Sequence, residues 1–355
     1  MRARFLATSG ALAIVMAVVW SLPASVRAQS PAAPDKAAPA KAAPAKAAPA
    51  KAWTHPRTVD GQPDLQGYWT SLSFTPMERP AKYGGREFLT EEETAEVFKA
   101  GVQHSYEFTF ANSAETPVYD ATVYALDAWQ NGVKPNKRTS LVVDPPDGRI
   151  PPLTPEAQAR RRAAARPAAD PEGGGGGQKF DGPEDLGLGV RCLTFGGPPI
   201  LPGAYDNNSH IVQGPGFVMI EYEWNSEARI IPLDGRPHVA SSIRQWHGDS
   251  RGHWEGNTLV VETTNFRPGA TYQNANAQTL KITERFARTD ADTIEYKFTI
   301  DDPTTWTKPW SAIVPMTHVE GPMFEYACHE GNNGAINILE GARAQEKTAA
   351  EGAKK

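Results

Sequence analysis

The chain has 355 residues, of which 22% are charged, and its formal net charge at pH 7 is -5. Residues 1–28 contain three arginines and no acidic residue, so the remaining chain has a net charge of -8. An acidic chain without a basic patch lacks the attraction that nucleic acids and anionic membranes require, and we therefore expect neither as a partner.

The first 52 residues have the composition of a leader and a spacer. Residues 1–28 combine a positive start, an apolar stretch at 10–22 and a small-residue cleavage site, which together are typical of a secretory signal peptide. A retained membrane anchor is the alternative, although the apolar stretch is short for a bilayer. Residues 29–52 repeat alanine and proline with spaced lysines, which favours an extended tether. We expect a periplasmic or secreted protein without integral membrane association after signal removal.

Two helix starts are indicated by their capping residues. Thr90 and Glu93 have the spacing of a capping box, and Gly101 is expected to end the helix that follows. Thr154 is the expected N-cap of a second helix, with Pro155 at its first position. This second helix is rich in arginine and poor in large apolar residues, so we expect it on the surface.

The remaining chain predicts a single domain over residues 53–342. A run of five glycines within 171–178 marks a flexible insert in that domain, because glycine has the largest backbone freedom. Near the C-terminus we expect a short helix that frays into a charged tail over residues 343–355.

From about residue 208 the hydrophobic pattern has a period of two. Alternation with one polar face indicates antiparallel strands, and strands adjacent in sequence usually pair. The fold class predicted is therefore all-β, mainly an antiparallel meander forming a barrel-like or strongly curved sheet, with a few short peripheral helices. At least seven strands are predicted, in the segments GFVMIEYEW, ARIIPL, TLVVETTNF, TLKITERFAR, DTIEYKFTI, WSAIVPM and MFEYACH.

Gly67 and Trp69 stand at the start of a further expected strand, in the segment DGQPDLQGYWTS. This Gly-x-Trp spacing resembles the opening signature of lipocalin-like (calycin) barrels, in which the tryptophan plugs one end. The resemblance implies closure of the meander, which would remove exposed strand edges.

Six stretches spread over the chain resemble a family of exported bacterial proteins of uncharacterised function. The resemblance implies one exported domain and assigns no activity and no catalytic residue. The stretches are DGQPDLQGYWT, DPPDGRIPPLTPEAQ, RIIPLDGRPH, GDSRGHWEGNTLVVETTNF, DDPTTWTKPW and YACHEGN.

The chain has two cysteines, Cys192 and Cys328. In an exported protein they are expected to form a disulfide, because the compartment is oxidising. Two buried free thiols are the alternative.

Gly256 and Asn257 predict a two-residue turn between two strands of a hairpin. Counting from the turn places Arg251 opposite Glu262 as an ion pair and buries Trp254. The polar face of this hairpin is either solvated or lines a cavity.

Histidines and carboxylates of two clusters predict a site where this polar face meets the strand end near Cys328. His253 or His329 would carry a proton, Glu262 would orient it, and Arg251 would hold a substrate oxygen. The catalytic residues predicted are His253, His329, Glu262 and Arg251. The ligand-binding residues predicted are Asp249, Arg191, Glu325 and Trp306.

No metal is predicted, because His247 and His253 would lie about 20 Å apart on one strand. No cofactor is predicted either, since the sequence has no GxSxG, Walker or dinucleotide-binding motif. Two classes of function remain for a small hydrophobic or aromatic compound. The first is an exported lyase, isomerase or hydrolase, and the second is a binding protein without catalysis. A structural interaction module is the third alternative.

Overall fold

In a computed structural model, the structure describes residues 53–111, 132–164, 180–195, 197–203 and 206–352. The predicted signal peptide, the tether and the glycine-rich insert lie outside the described residues. Among the described residues, no helix is both long and apolar enough to cross a membrane.

The described part of the chain contains ten strands and three α-helices. The strands are β1 (Gly67–Thr70), β2 (Val142–Asp144), β3 (Asn208–Gly214), β4 (Phe217–Tyr222), β5 (Ala228–Pro232), β6 (Asp249–Glu255), β7 (Thr258–Thr264), β8 (Lys281–Asp290), β9 (Thr293–Asp301) and β10 (Trp310–Val319). The helices are α1 (Glu91–Ala111), α2 (Pro155–Ala164) and α3 (Asn333–Gly352).

All ten strands belong to one antiparallel sheet, in the order β5-β4-β3-β1-β10-β9-β8-β7-β6, with β2 paired to β10. The sheet therefore consists of two meanders, β3 to β5 and β6 to β10, each made of strands adjacent in sequence. β1 lies between the two meanders and pairs with β3 on one side and β10 on the other. The prediction of a mainly antiparallel meander is confirmed.

The sheet is extended and curved, and it does not close into a barrel. The end strands β5 and β6 have no backbone pairing with each other. Apolar side chains occupy the space between them: a Cβ atom on Gly252 of β6 would lie 2.8 Å from Ile231 Cγ2 and 2.7 Å from Leu233 Cδ2. The expectation of barrel closure is wrong, because packing of these side chains takes the place of a final ladder of hydrogen bonds.

The core lies against one face of the curved sheet. Alternate residues of β8 and β9 are fully buried, as the period-two pattern predicts. Trp69 of β1 is also fully buried, and its indole N–H donates to the Leu65 carbonyl oxygen at 2.9 Å. The largest buried side chains of the core include Trp69, Trp306, Trp310, Tyr296, Phe266, Phe286 and Phe298.

The hairpin of β6 and β7 has the predicted register, with Arg251 opposite Glu262. The predicted ion pair between these two residues is wrong. Arg251 instead donates to Asp249 Oδ1 at 2.7 Å, and Glu262 pairs with Lys281 on the neighbouring strand β8. Trp254 is only partly buried and packs at the margin of the core.

The helix starts are confirmed and the expected helix end is not. The Thr90 N–H donates to Glu93 Oε2 at 2.9 Å, and the Glu93 N–H donates to the Thr90 hydroxyl at 3.2 Å, which completes a capping box. The Thr154 hydroxyl accepts the Ala157 N–H at 3.1 Å, as expected of an N-cap. α1 continues past Gly101, because this glycine packs directly on Phe74: an added Cβ would lie 2.2 Å from Phe74 Cγ.

The C-terminal part of the described chain differs from the prediction in two ways. The segment 323–329 contains no strand, because both edges of β10 are already occupied by β1 and β9. α3 begins at Asn333, has no buried residue and continues to Gly352, so the predicted tail is helical over most of its length. The predicted disulfide between Cys192 and Cys328 is present and ties segment 323–329 to the loop that precedes β3.

Candidate functional site

A cavity of about 580 Å³ lies at one end of the sheet. β1 ends, β3 begins and β4 ends at this place, because Thr70 pairs with Asn208 and Ser209 pairs with Tyr222. Residues within 188–195 and 197–203 line this cavity, and residues 269–273 line it as well. The cavity therefore lies where sheet and loops meet, a common position for ligand sites.

The apolar wall of the cavity is built mainly by prolines and aromatic residues. Pro198, Pro199 and Ile200 contribute from the segment 197–203. The rings of Phe195 and Trp224 also line the cavity, and their centroids are 4.6 Å apart. These rings are rigid surfaces of large area, which suits them to a planar or apolar ligand.

A third aromatic residue, Tyr326, packs on both of these rings. Its ring lies 5.3 Å from that of Phe195 and 5.9 Å from that of Trp224. The disulfide between Cys192 and Cys328 joins the two chain segments that carry Phe195 and Tyr326. The covalent bond therefore fixes the aromatic wall of the cavity.

Asp206 is the carboxylate most strongly perturbed by this environment. Its Oδ2 atom is buried and has no hydrogen-bond partner among the described residues. Burial, together with the nearby Glu223 carboxylate, raises the pKa of Asp206 to about 7. At neutral pH this side chain can therefore act as an acid or as a base.

A second carboxylate in the wall, Glu227, is paired with His247. Glu227 Oε2 contacts His247 Nε2 and accepts a hydrogen bond from the Thr194 hydroxyl at 2.9 Å. Its Oε1 atom accepts a hydrogen bond from Asn225 Nδ2 at 3.2 Å. The ring of His247 meets that of Tyr222 edge-on, with 5.6 Å between the centroids.

A buried ion pair lies beneath this end of the sheet. Arg229 donates to both Glu284 oxygens, at 2.6 and 3.0 Å, and the Tyr296 hydroxyl donates to Glu284 Oε1 at 2.9 Å. Burial alone would lower the pKa of Arg229, but the Glu284 carboxylate outweighs it and raises the pKa above its ordinary value. The Tyr296 hydroxyl also accepts the N–H of Ile200 at 3.0 Å, which fastens the segment 197–203 to the core.

The Tyr222 hydroxyl lies between this ion pair and the cavity. It is buried and interacts with the Arg229 guanidinium. Burial raises the pKa of Tyr222 above its ordinary value, so the group is a neutral hydroxyl at physiological pH.

The predicted catalytic residues lie outside the described lining of this cavity. The side chain of His253 is 57% exposed and its Nε2 is 3.2 Å from Glu255 Oε1. His329 is exposed, and Glu262 is engaged with Lys281 on the outer face of the sheet. The structure thus differs from the predicted arrangement, because His253 and Glu262 on the polar face of the hairpin are exposed.

The predicted ligand-binding residues also have other surroundings. Trp306 is 2% exposed and belongs to the core. Asp249 is buried, and its Oδ2 atom accepts the Val239 N–H at 3.0 Å and contacts His238 Nδ1 at 2.8 Å. Arg191 is partly exposed and Glu325 is exposed. No one of these four residues belongs to the described lining of the cavity.

The buried ion pair beside the candidate site had a signal in the sequence. Glu284 alternates in phase with Ile282 and Phe286 on β8, and Arg229 alternates with Ile231 on β5, so both carry charge at inward positions. A pair of opposite charges in such positions is expected to meet, since an unpaired buried charge is costly. Asp206 had no such signal, because it lies in a loop.

No match is found when the chain is compared with protein-family models, with curated proteins and with solved structures. Among the described residues, no group of three or more His, Cys, Asp and Glu side chains could hold a metal ion.

Proposed function

We propose that this protein binds a small, largely apolar or aromatic organic molecule in the cavity beside Asp206. The observation that carries the proposal is the cavity itself, with its volume of about 580 Å³. Ligand pockets typically measure about 300–1,000 Å³ and combine apolar walls with a few polar groups. Asp206 Oδ2 supplies a buried polar atom without a partner among the described residues, and Phe195 and Trp224 supply the aromatic wall.

The test compares a variant that fills the cavity with one that leaves it open. Ala270 lines the cavity, so Ala270→Trp should occupy part of its volume. Ala349→Trp makes the same substitution on the exposed helix α3 and serves as the control. Both variants and the original protein are purified from the periplasm, and the compounds that they release on denaturation are measured by mass spectrometry.

We expect the original protein and Ala349→Trp to release the same compound, and Ala270→Trp to release about tenfold less. Thermal unfolding of each preparation checks that the variants are folded. Equal release from all three proteins, or no release above background from the original protein, would contradict the proposal.

A second candidate function is proton-transfer catalysis on the bound molecule. The observation in its favour is that Asp206, with a pKa of about 7, lies in the same cavity wall as Glu227, which contacts His247. A group that titrates near the working pH is suited to general acid–base catalysis. If this function holds, Asp206→Asn retains binding of the released compound and loses its conversion, which chromatography of the incubated mixture measures.

We also propose that the partner is a small molecule and not a nucleic acid, and that the protein is exported. The disulfide supports export, since such bonds persist in oxidising compartments. Expression of the full chain followed by N-terminal sequencing of the periplasmic fraction should find a start at Gln29. Intact chain in the membrane fraction would instead support a retained anchor.

A further inference from the structure

The charges of the cavity wall are all of one sign. Among the described lining residues, Asp206 and Glu227 are acidic, and none is a lysine or an arginine. The nearest buried cation, Arg229, is neutralised by the two oxygens of Glu284. The cavity therefore offers an entering molecule negative charge without a competing positive group.

Aromatic faces accompany these carboxylates. Phe195, Tyr222, Trp224 and Tyr272 all line the cavity. The face of an aromatic ring carries partial negative charge and attracts ammonium groups, most strongly for tryptophan. Carboxylates and aromatic faces around one space thus favour the same kind of ligand.

One buried atom of the cavity wall, Asp206 Oδ2, has no hydrogen-bond partner among the described residues, which points to a ligand independently of the charges. This atom is a hydrogen-bond acceptor when Asp206 is ionised. Glu227, in contrast, already accepts hydrogen bonds from Thr194 and Asn225 and contacts His247. The vacant acceptor in the wall is therefore the carboxylate of Asp206.

We propose that the ligand is an organic cation, an aromatic or alkyl amine whose ammonium group contacts Asp206 and whose apolar part packs on Trp224 and Phe195. The inference rests on the proposed binding function and specifies its ligand class. An anionic ligand is disfavoured, because it would bring like charge to Asp206 and Glu227 with no described cation in the wall. Above pH 7, where Asp206 is ionised, a neutral ligand would leave its carboxylate buried without compensation.

The experiment uses matched triplets of aromatic fragments that differ only in charge. Each triplet contains an amine, an alcohol and a carboxylic acid on one ring scaffold, and the simplest is benzylamine, benzyl alcohol and benzoate. Binding is measured by ligand-observed NMR at about pH 8, above the Asp206 pKa of about 7. Signals that persist in Ala270→Trp are subtracted, since they arise outside the cavity. Should Ala270→Trp not fold, Ala270→Leu replaces it.

Two charge variants show which carboxylate is responsible. Asp206→Asn removes the proposed contact, and Asp60→Asn removes the same charge from an exposed position that is not among the described lining residues. We expect the amines to bind at least about tenfold more tightly than the alcohols and acids. We also expect Asp206→Asn to abolish this preference and Asp60→Asn to retain it.

The outcomes separate the two proposals. Alcohols or acids that bind the cavity as tightly as the amines would overturn the inference and leave the binding function in place. An amine preference that survives Asp206→Asn would also overturn it. A complete absence of signals sensitive to Ala270→Trp or Ala270→Leu would count against the binding function itself.

Discussion

Removing one member of the buried ion pair of Arg229 and Glu284 should destabilise the protein strongly. The exposed fractions of the two side chains are 3% and 0%. Glu284→Gln keeps the shape of the side chain but leaves the Arg229 charge buried and uncompensated. Breaking such a pair costs about 3–5 kcal/mol, because the remaining charge cannot regain its hydration. The Tyr296 hydroxyl also loses a charged acceptor, which weakens that hydrogen bond.

A matched control is available on the outer face of the same sheet. Arg285 donates to Glu255 at 2.7 Å, but their side chains are 40% and 49% exposed. An exposed ion pair contributes about 0–1 kcal/mol, since water and salt screen it. Glu255→Gln should therefore change the free energy of unfolding far less than Glu284→Gln, although the two substitutions are chemically identical.

Urea unfolding followed by tryptophan fluorescence measures both variants at neutral pH. A loss below about 1 kcal/mol for Glu284→Gln would refute the reasoning, because it would mean that water reaches Arg229. The double variant Arg229→Met with Glu284→Leu adds a second check. Replacing both charges with apolar residues should recover most of the lost stability, as is common for buried pairs.

Three further predictions concern the cavity, the disulfide and the seam between β5 and β6. The pKa of Asp206 is raised from 3.8 to about 7, so the folded state binds the extra proton, and stability falls as pH rises from about 4 to 7. Asp206→Asn should remove this loss, roughly 1–2 kcal/mol after allowing for partial exposure, as urea unfolding at several pH values would show. Replacing both Cys192 and Cys328 with alanine should cost about 3–5 kcal/mol in the same assay, because the bond spans 136 residues; a loss near zero would contradict this. Gly252→Ala should cost about 1–3 kcal/mol through its clash with the side chains of β5, whereas Gly85→Ala, with open space around it, should be nearly neutral.

The features that the sequence predicts correctly are set by neighbouring residues. Gly256 and Asn257 determine the turn, and the turn then sets the register of β6 and β7. The capping box of Thr90 and Glu93 likewise depends on one helical turn only. The disulfide is predictable for a different reason, because the chain has two cysteines, which within it can pair only with each other, and we expect the chain to be exported.

The features that the sequence does not predict depend on distant parts of the chain. Segment 323–329 has the alternation of a strand, but pairing requires a free edge, and β10 offers none. The raised pKa of Asp206 comes from burial and from the nearby Glu223 carboxylate, neither of which has a periodic signal in the sequence. The predicted ion pair of Arg251 with Glu262 does not form, because strand β8 brings Lys281 next to Glu262. The sequence of a hairpin does not reveal which strand will lie beside it.

The position of β1 has a consequence for the order in which the chain assembles. This strand of four residues is synthesised before the other strands that the structure describes, yet its two partners, β3 and β10, lie far downstream. Closing such long loops is slow, so each meander can form its local hairpins while β1 still has no neighbour. We therefore expect β1 to pair with its neighbours last, after the hairpins of both meanders have formed. If the chain crosses a membrane before it folds, β1, β3 and β10 become available together. β1 can then pair with both partners as soon as the two meanders have formed.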